Sequence, residues 1–137
     1  MRGRSDYAYA MARILIIEDN PWNLQIAQLV LERAGHEIID ATDAQQGLAL
    51  AQSARPQLIL MDLNLPGMDG FEATRLLKNN DSTRDIKVYA YTPLFSEFDD
   101  PAEYLKIHSA GCDGIIPKNI SHADFLAAVT KALAESA

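Results

Sequence analysis

Apolar residues enter this chain in two alternating patterns. The first is the short dense run: "RILII" (Arg13–Ile17), "HEIIDA" from His36, "LILM" from Leu58, "IKVYAYT" (Ile86–Thr92) and "GIIP" from Gly114. Such runs, rich in β-branched residues, predict buried strands. The second is a spacing of three and four. Leu24, Ala27, Val30, Leu31 and Ala34 make one face of a helix, opened by Asn20–Pro21 and closed by Gly35. Thr42 or Asp43 caps a second helix that ends before Pro56, and "GFEATRLLKNN" from Gly70 is a third. A fourth is expected between Ser96 and Ala110, with Pro101 a candidate break. Ser121 and Asp124 form a capping-box-like pair for a fifth, lined by Phe125, Leu126, Val129 and Leu133.

Strand and helix alternate five times, which predicts an α/β fold: a doubly wound parallel sheet with helices on both faces. No internal repeat or low-complexity stretch divides the chain. Residues 1–12 read as a tag or flexible arm and 13–137 as one domain, as the length of 137 residues suggests.

The residues just past each strand are polar and specific. Glu18 and Asp19 come after strand one, Asp62 after the apolar run of strand three, Thr92 ends strand four and Lys118 comes after strand five. In an open parallel sheet these positions share the C-terminal edge, where ligands bind at the reversal of strand order. In a flavodoxin-like order 2-1-3-4-5, strands 1 and 3 flank that crevice, so Glu18, Asp19 and Asp62 converge. Three converging carboxylates repel one another, and a hard cation such as Mg²⁺ relieves this while favouring phosphate nearby. Cation, hydroxyl and ammonium together would neutralise a phosphoryl group. Asp62 is then a candidate nucleophile for an aspartyl phosphate.

Charge and composition narrow the alternatives. A net charge of −7 with scattered basic residues argues against nucleic acid. The single cysteine, Cys112, excludes an intrachain disulfide and a cysteine zinc site, and fits a reducing compartment. No apolar run approaches the ~20 residues of a membrane span, and the first twelve residues lack a signal-peptide core.

With "EDN" after strand one and "MDLNLPGMDGFE" around strand three, supported by Thr92 and Lys118, the chain resembles the receiver domains of two-component response regulators from about Arg13 to Leu133. It is similar to single-domain regulators of the DivK or chemotaxis type. The resemblance implies that Asp62 takes a phosphoryl group from a phosphohistidine. It also implies Mg²⁺ held by Asp19, Asp62 and the Asn64 carbonyl, with Glu18 acting mainly through water. Thr92 would be the switch hydroxyl and Lys118 the phosphate-pairing ammonium. Implied partners are a sensor histidine kinase or histidine phosphotransfer protein and a downstream protein, with the chain a cytoplasmic monomer or weak dimer. The pattern departs at the switch. Ile115 stands where an aromatic is usual, Asn119 where proline follows the lysine, and Pro93 where a small residue follows the threonine. A trans Lys118–Asn119 bond is therefore expected, with any signal passing through Thr92 and the lengthened segment from Pro93 to Ala110.

Two other functional classes compete with this one. A haloacid-dehalogenase-like phosphohydrolase wants a second acid two residues after the nucleophile, where this chain has Asn64; a flavin binder wants a Ser/Thr/Gly-rich loop where it has "EDNPWN". A pseudo-receiver working without phosphorylation is the remaining alternative. Elsewhere the plain expectation is structural. Asp69 and Gly70 serve the turn, and Trp22 is a partly buried aromatic near the site. His36, His108 and His122 face solvent, Tyr89 and Tyr91 pack, and Cys112 is a small buried hydrophobe.

Overall fold

The computed structural model describes residues 11–94 and 99–135. Most of the expected arm and the expected helix start near Ser96 lie outside the described residues. Five strands, β1 (Arg13–Ile17), β2 (Glu37–Ala41), β3 (Leu58–Asp62), β4 (Lys87–Thr92) and β5 (Gly114–Pro117), form one parallel sheet in the order β2-β1-β3-β4-β5. The helices are α1 (Pro21–Arg33), α2 (Ala44–Ala54), α3 (Gly70–Lys78), α4 (Pro101–Ala110) and α5 (His122–Glu135). This is the flavodoxin-like order expected from the sequence.

Successive side chains of a strand point to opposite faces, and here each face finds its own helices. Leu15, Ile17, Ile59, Met61, Val88 and Ala90 pack with residues of α2, α3 and α4. Ile14, Ile16, Leu58, Leu60, Tyr89 and Tyr91 pack with Leu24, Ala27 and Leu31 of α1 and Phe125, Val129 and Ala132 of α5. Each large aliphatic side chain fully buried in this way stabilises the fold by about 1.5–3 kcal/mol. Because both faces are covered, the central strands are apolar throughout rather than alternating.

Helix starts arise from local chemistry. Asn20 Oδ1 accepts from the amides of Trp22 and Asn23 at 2.9 and 3.1 Å, and Pro21 occupies the first helical position. Asp43, rather than Thr42, caps α2, accepting from Gln46 N at 2.8 Å. Asp69 and Asp100 cap α3 and α4, and Ser121 Oγ accepts from Asp124 N at 3.0 Å at the start of α5. Such caps contribute about 1 kcal/mol each. Pro101 opens α4 instead of breaking it. Gly35 and Gly111 end α1 and α4 with φ of 98° and 101°, values that favour glycine.

Two sequence expectations are corrected. Trp22 is not partly buried: it is 73% exposed, because α1 buries the face of Leu24, Ala27 and Leu31 and Trp22 lies on the opposite side. His36 does not face solvent. It is buried where β2 begins beside β1, and its Nδ1 accepts from Ala12 N at 3.2 Å. His108 and His122 are exposed, and Cys112 is buried, as expected.

Burial holds the His36 imidazole below its ordinary pKa, so the folded chain keeps it neutral where the unfolded chain would protonate it. The folded state then binds fewer protons. Its stability is fully present above the unfolded value near 6.5 and declines as pH falls towards the depressed folded value. Thermal melts should show a steeper loss on acidification for the wild type than for His36→Gln. Equal slopes would remove His36 from the acid response.

Candidate functional site

The candidate site lies at the C-terminal edge of β1 and β3, and the register explains why. Ile17 pairs with Met61 across β1 and β3, so Glu18 and Asp62 emerge level with each other. Asp62 pairs with Tyr91 across β3 and β4, and Thr92 pairs with Pro117 across β4 and β5, which puts Lys118 just beyond. Lys118 N donates to the Thr92 carbonyl at 2.8 Å, tying the two strand ends together.

One carboxylate oxygen each from Glu18, Asp19 and Asp62 lies within 4.8 Å of the others. Glu18 and Asp62 are buried and Asp19 is exposed. Lys118 Nζ stands 2.7 Å from Glu18 Oε1 and 3.3 Å from Asp62 Oδ1, with its side chain only 13% exposed. The closer approach is an ion pair to a fully buried oxygen, Glu18 Oε1. Glu18 Oε2 accepts from Asn20 N at 3.1 Å, and Asp62 Oδ1 accepts from Asn64 N at 3.1 Å. Thr92 is buried, and its Oγ1 accepts a long 3.5 Å bond from Leu94 N. Asp69 and Gly70 belong to the turn. A Cβ on Gly70 would collide with the Asp62 carbonyl oxygen and come 2.8 Å from Leu63 Cα, so only glycine lets α3 start this close to Asp62.

Electrostatics divides the two buried acids. Burial raises the Glu18 pKa, and the Asp62 carboxylate beside it adds to this, against the opposing pull of Lys118 and the Asn20 amide. Burial would raise Asp62 too, but Glu18, the Asn64 amide and Lys118 together outweigh it and bring Asp62 below the usual range. Asp62 is thus the acid held ionised and Glu18 the one that keeps its proton longer. One lysine against three carboxylates leaves the cluster short of positive charge. An oxygen-only donor set of three carboxylates fits a small divalent cation.

Of the six residues singled out from sequence, Glu18, Asp19, Asp62 and Lys118 are brought into one cluster, and Asn64 joins it through its amide. Thr92 sits at the adjoining strand end, on the wall of a cleft of about 420 Å³ that Asn64, Pro93, Leu94, Asp99, Asp100 and Glu103 also line. All peptide bonds of the described residues are trans, Lys118–Asn119 included. Sequence reasoning missed Tyr91 as a neighbour of the site: its ring lies beneath Lys118, with the centroid 5.2 Å from Nζ. The pairing of its strand position with Asp62 was the available signal.

Comparison with known proteins agrees with the geometry. Residues 14–130 match the response regulator receiver domain family. The polar-differentiation response regulator DivK of Brucella anthropi is 34% identical over 123 residues, covering 90% of this chain and 97% of the relative. Protein PilH of Pseudomonas aeruginosa is 39% identical over 89 residues, covering 65% of this chain and 74% of its own. The chemotaxis response regulator CheY4 of Vibrio cholerae superposes with a TM-score of 0.80 at 25% identity, covering 89% of this chain and 98% of that one. The receiver domain of the sensor histidine kinase PA1611 of P. aeruginosa, solved with a magnesium ion coordinated in the active site cleft, gives a TM-score of 0.78 at 26% identity; 90% of this chain and 98% of that one are covered.

The Glu18 shift has a stability consequence. A carboxyl with a raised folded pKa stabilises the fold while protonated, and that contribution is lost as pH rises through the raised value. At pH 7.5 in EDTA, Glu18→Gln should therefore melt higher than the wild type, by on the order of 1 kcal/mol of stability. An unchanged or lower melting temperature would show that Lys118 already offsets the Glu18 charge.

Proposed function

Because the chain belongs to the response-regulator receiver family and is a phosphoaccepting module of two-component signalling, we propose that Asp62 is its phosphoacceptor, fed by the phosphohistidine of a sensor kinase or histidine phosphotransfer protein. One observation carries the assignment: Asp62 is the buried acid held ionised, at a strand end, 3.3 Å from a lysine. A carboxylate kept charged in a protein wall is a nucleophile ready to attack. Asp62 Oδ forms the bond to phosphorus as the bond from phosphorus to the imidazole nitrogen breaks, and the electron pair returns to the ring. The Lys118 ammonium is placed to pair with the phosphoryl oxygens as it now pairs with Asp62. Thr92, one residue beyond the level of Asp62 on the next strand, offers the hydroxyl that can follow the new group.

Asp19 and Asp62, with the Asn64 carbonyl, would hold Mg²⁺, and Glu18 would act mainly through water. The ion supplies positive charge for the phosphoryl oxygens during transfer. A relative named as a response regulator fits this reading. No described helix is long and apolar enough to cross a membrane. The lone cysteine, Cys112, is free and buried, which supports a reducing, cytoplasmic site of action.

The exposed surface beside the acceptor supports a protein donor. Trp22, Ile26 and Leu29 are 73%, 44% and 51% exposed and keep the spacing of a helix face. From Pro21 to Leu31, α1 carries no charge at all. Trp22 begins this stripe close after the loop that carries Asp19, so a partner covering it reaches the acceptor edge.

Incubation with acetyl phosphate and Mg²⁺ should add one phosphoryl mass to the wild type and none to Asp62→Asn; a gain that survives the substitution overturns the assignment. Trp22→Ala combined with Ile26→Ala should slow transfer from a phosphorylated histidine phosphotransfer protein at least tenfold, the scale of a lost aromatic anchor of about 2 kcal/mol. The rate from acetyl phosphate should stay unchanged. Equal slowing with both donors would move the stripe from docking to fold maintenance.

A further inference from the structure

Lys118 reaches the carboxylates across an aromatic ring. Tyr91 is buried on the sheet face shared with α1 and α5, directly opposite Asp62 in β3 and Ile116 in β5. The lysine leaves the end of β5, and its ammonium stands 5.2 Å from the centroid of that ring, 2.7 Å from Glu18 and 3.3 Å from Asp62. The same ring rests against Phe125 of α5, with centroids 5.6 Å apart and planes tilted by 37°. A lysine stem is long and flexible, and its ammonium has a strong preference for water. Two carboxylates attract the ammonium, which stands nearer Glu18 than Asp62. A ring face below the ammonium adds a third contact that holds it at the carboxylate pair and takes the place of water on that side.

We propose that Tyr91 is a positioning residue for phosphoryl transfer: its ring holds the Lys118 ammonium within reach of Asp62, beside Glu18, and, through Phe125, couples the position of that ammonium to α5. This rests on the assignment of Asp62 as acceptor. Tyr91 touches neither donor nor phosphoryl group and acts through Lys118. In the reaction with acetyl phosphate, the bond from phosphorus to the acetyl oxygen breaks, acetate leaves with the electron pair, and Asp62 Oδ bonds to phosphorus. The ammonium must meet the oxygens of the moving phosphoryl as Asp62 gives up its own charge to the new bond. A lysine freed from the ring would spend part of its time elsewhere and slow that step. Once the ammonium shifts towards the phosphoryl group, the ring moves with it, and Phe125 carries the change to the surface helix. Ile115, which cannot swing as an aromatic does, has no share in this route.

The test is the rate of phosphoryl gain from acetyl phosphate with Mg²⁺, read by intact mass. Tyr91→Met keeps much of the volume and removes the ring; it should slow the reaction roughly three- to thirtyfold. Mg²⁺ affinity, measured by calorimetry, should stay within about twofold, and Tyr91→Phe should restore the wild-type rate. In a Lys118→Met background, Tyr91→Met should cause no further slowing. A rate for Tyr91→Met equal to wild type overturns the proposal. So does a Tyr91→Phe as slow as Tyr91→Met, a loss of Mg²⁺ binding, or the same slowing with Lys118 absent. The wild type supplies a readout independent of variants: ring-current shifts should move the Lys118 ε-methylene protons upfield, and unshifted protons overturn the contact. A wild type that takes no phosphoryl group overturns the acceptor assignment and the proposal together, whereas a reactive wild type with an equally reactive Tyr91→Met overturns the proposal alone.

Discussion

The ion pair of Lys118 with Glu18 and Asp62 is the constraint around which the edge of the sheet is arranged. Two buried carboxylates side by side cannot both be charged without a counter-ion, since removing a charge from water costs several kcal/mol. The counter-ion comes from a different strand, 56 positions along the chain from Asp62, so it meets them only if β1, β3, β4 and β5 lie in the right order and register. The chemistry thus depends on the topology at its most non-local. Around it, the Asn20 and Asn64 amides serve other carboxylate lone pairs, and Gly70 lets α3 start close enough to brace the Asp62 loop.

Much of this is legible in the sequence, for a local reason. Strand runs and helix caps are written within a few residues of where they act. Asp43, Asp69, Asp100 and Ser121 each bond to an amide three positions ahead. Given five alternating units, placing Glu18, Asp19, Asp62, Thr92 and Lys118 at one edge needs only the rule for parallel sheets. The features that escape depend on neighbours distant in sequence. The burial of His36 comes from Ala12 and the start of β1. Trp22 is the exception, since the helix period already places it on the side of α1 opposite Leu24, Ala27 and Leu31. The strand pattern marks Tyr91 as a packing residue, correctly, but its contact with Lys118 depends on the path of a long side chain over the next strand.

The two halves of the core share the same strands and have different duties. The face towards α2, α3 and α4 is largely aliphatic, and its partners begin at the Asp62 turn and at the wall of the Thr92 cleft. The face towards α1 and α5 contains both core tyrosines. Tyr89 Oη reaches Glu135 at the end of α5 at 3.0 Å, while Tyr91 meets Phe125 in the first turns. Helix α5 is therefore held by β4 near both ends, through a hydrogen bond at one and an aromatic contact at the other.

The lack of charge on α1 sets the manner in which this chain meets other molecules. A protein of net charge −7 repels other acidic proteins at long range, and favourable electrostatic steering speeds encounters only between complementary patches. From Pro21 to Leu31 there is nothing to steer with and nothing to screen. Recognition on that helix must rest on shape and on water released from apolar surface. That surface adds no salt dependence of its own to the repulsion set by the net charge, and for a partner docking there, discrimination would lie in how long a complex lasts rather than in how quickly it forms.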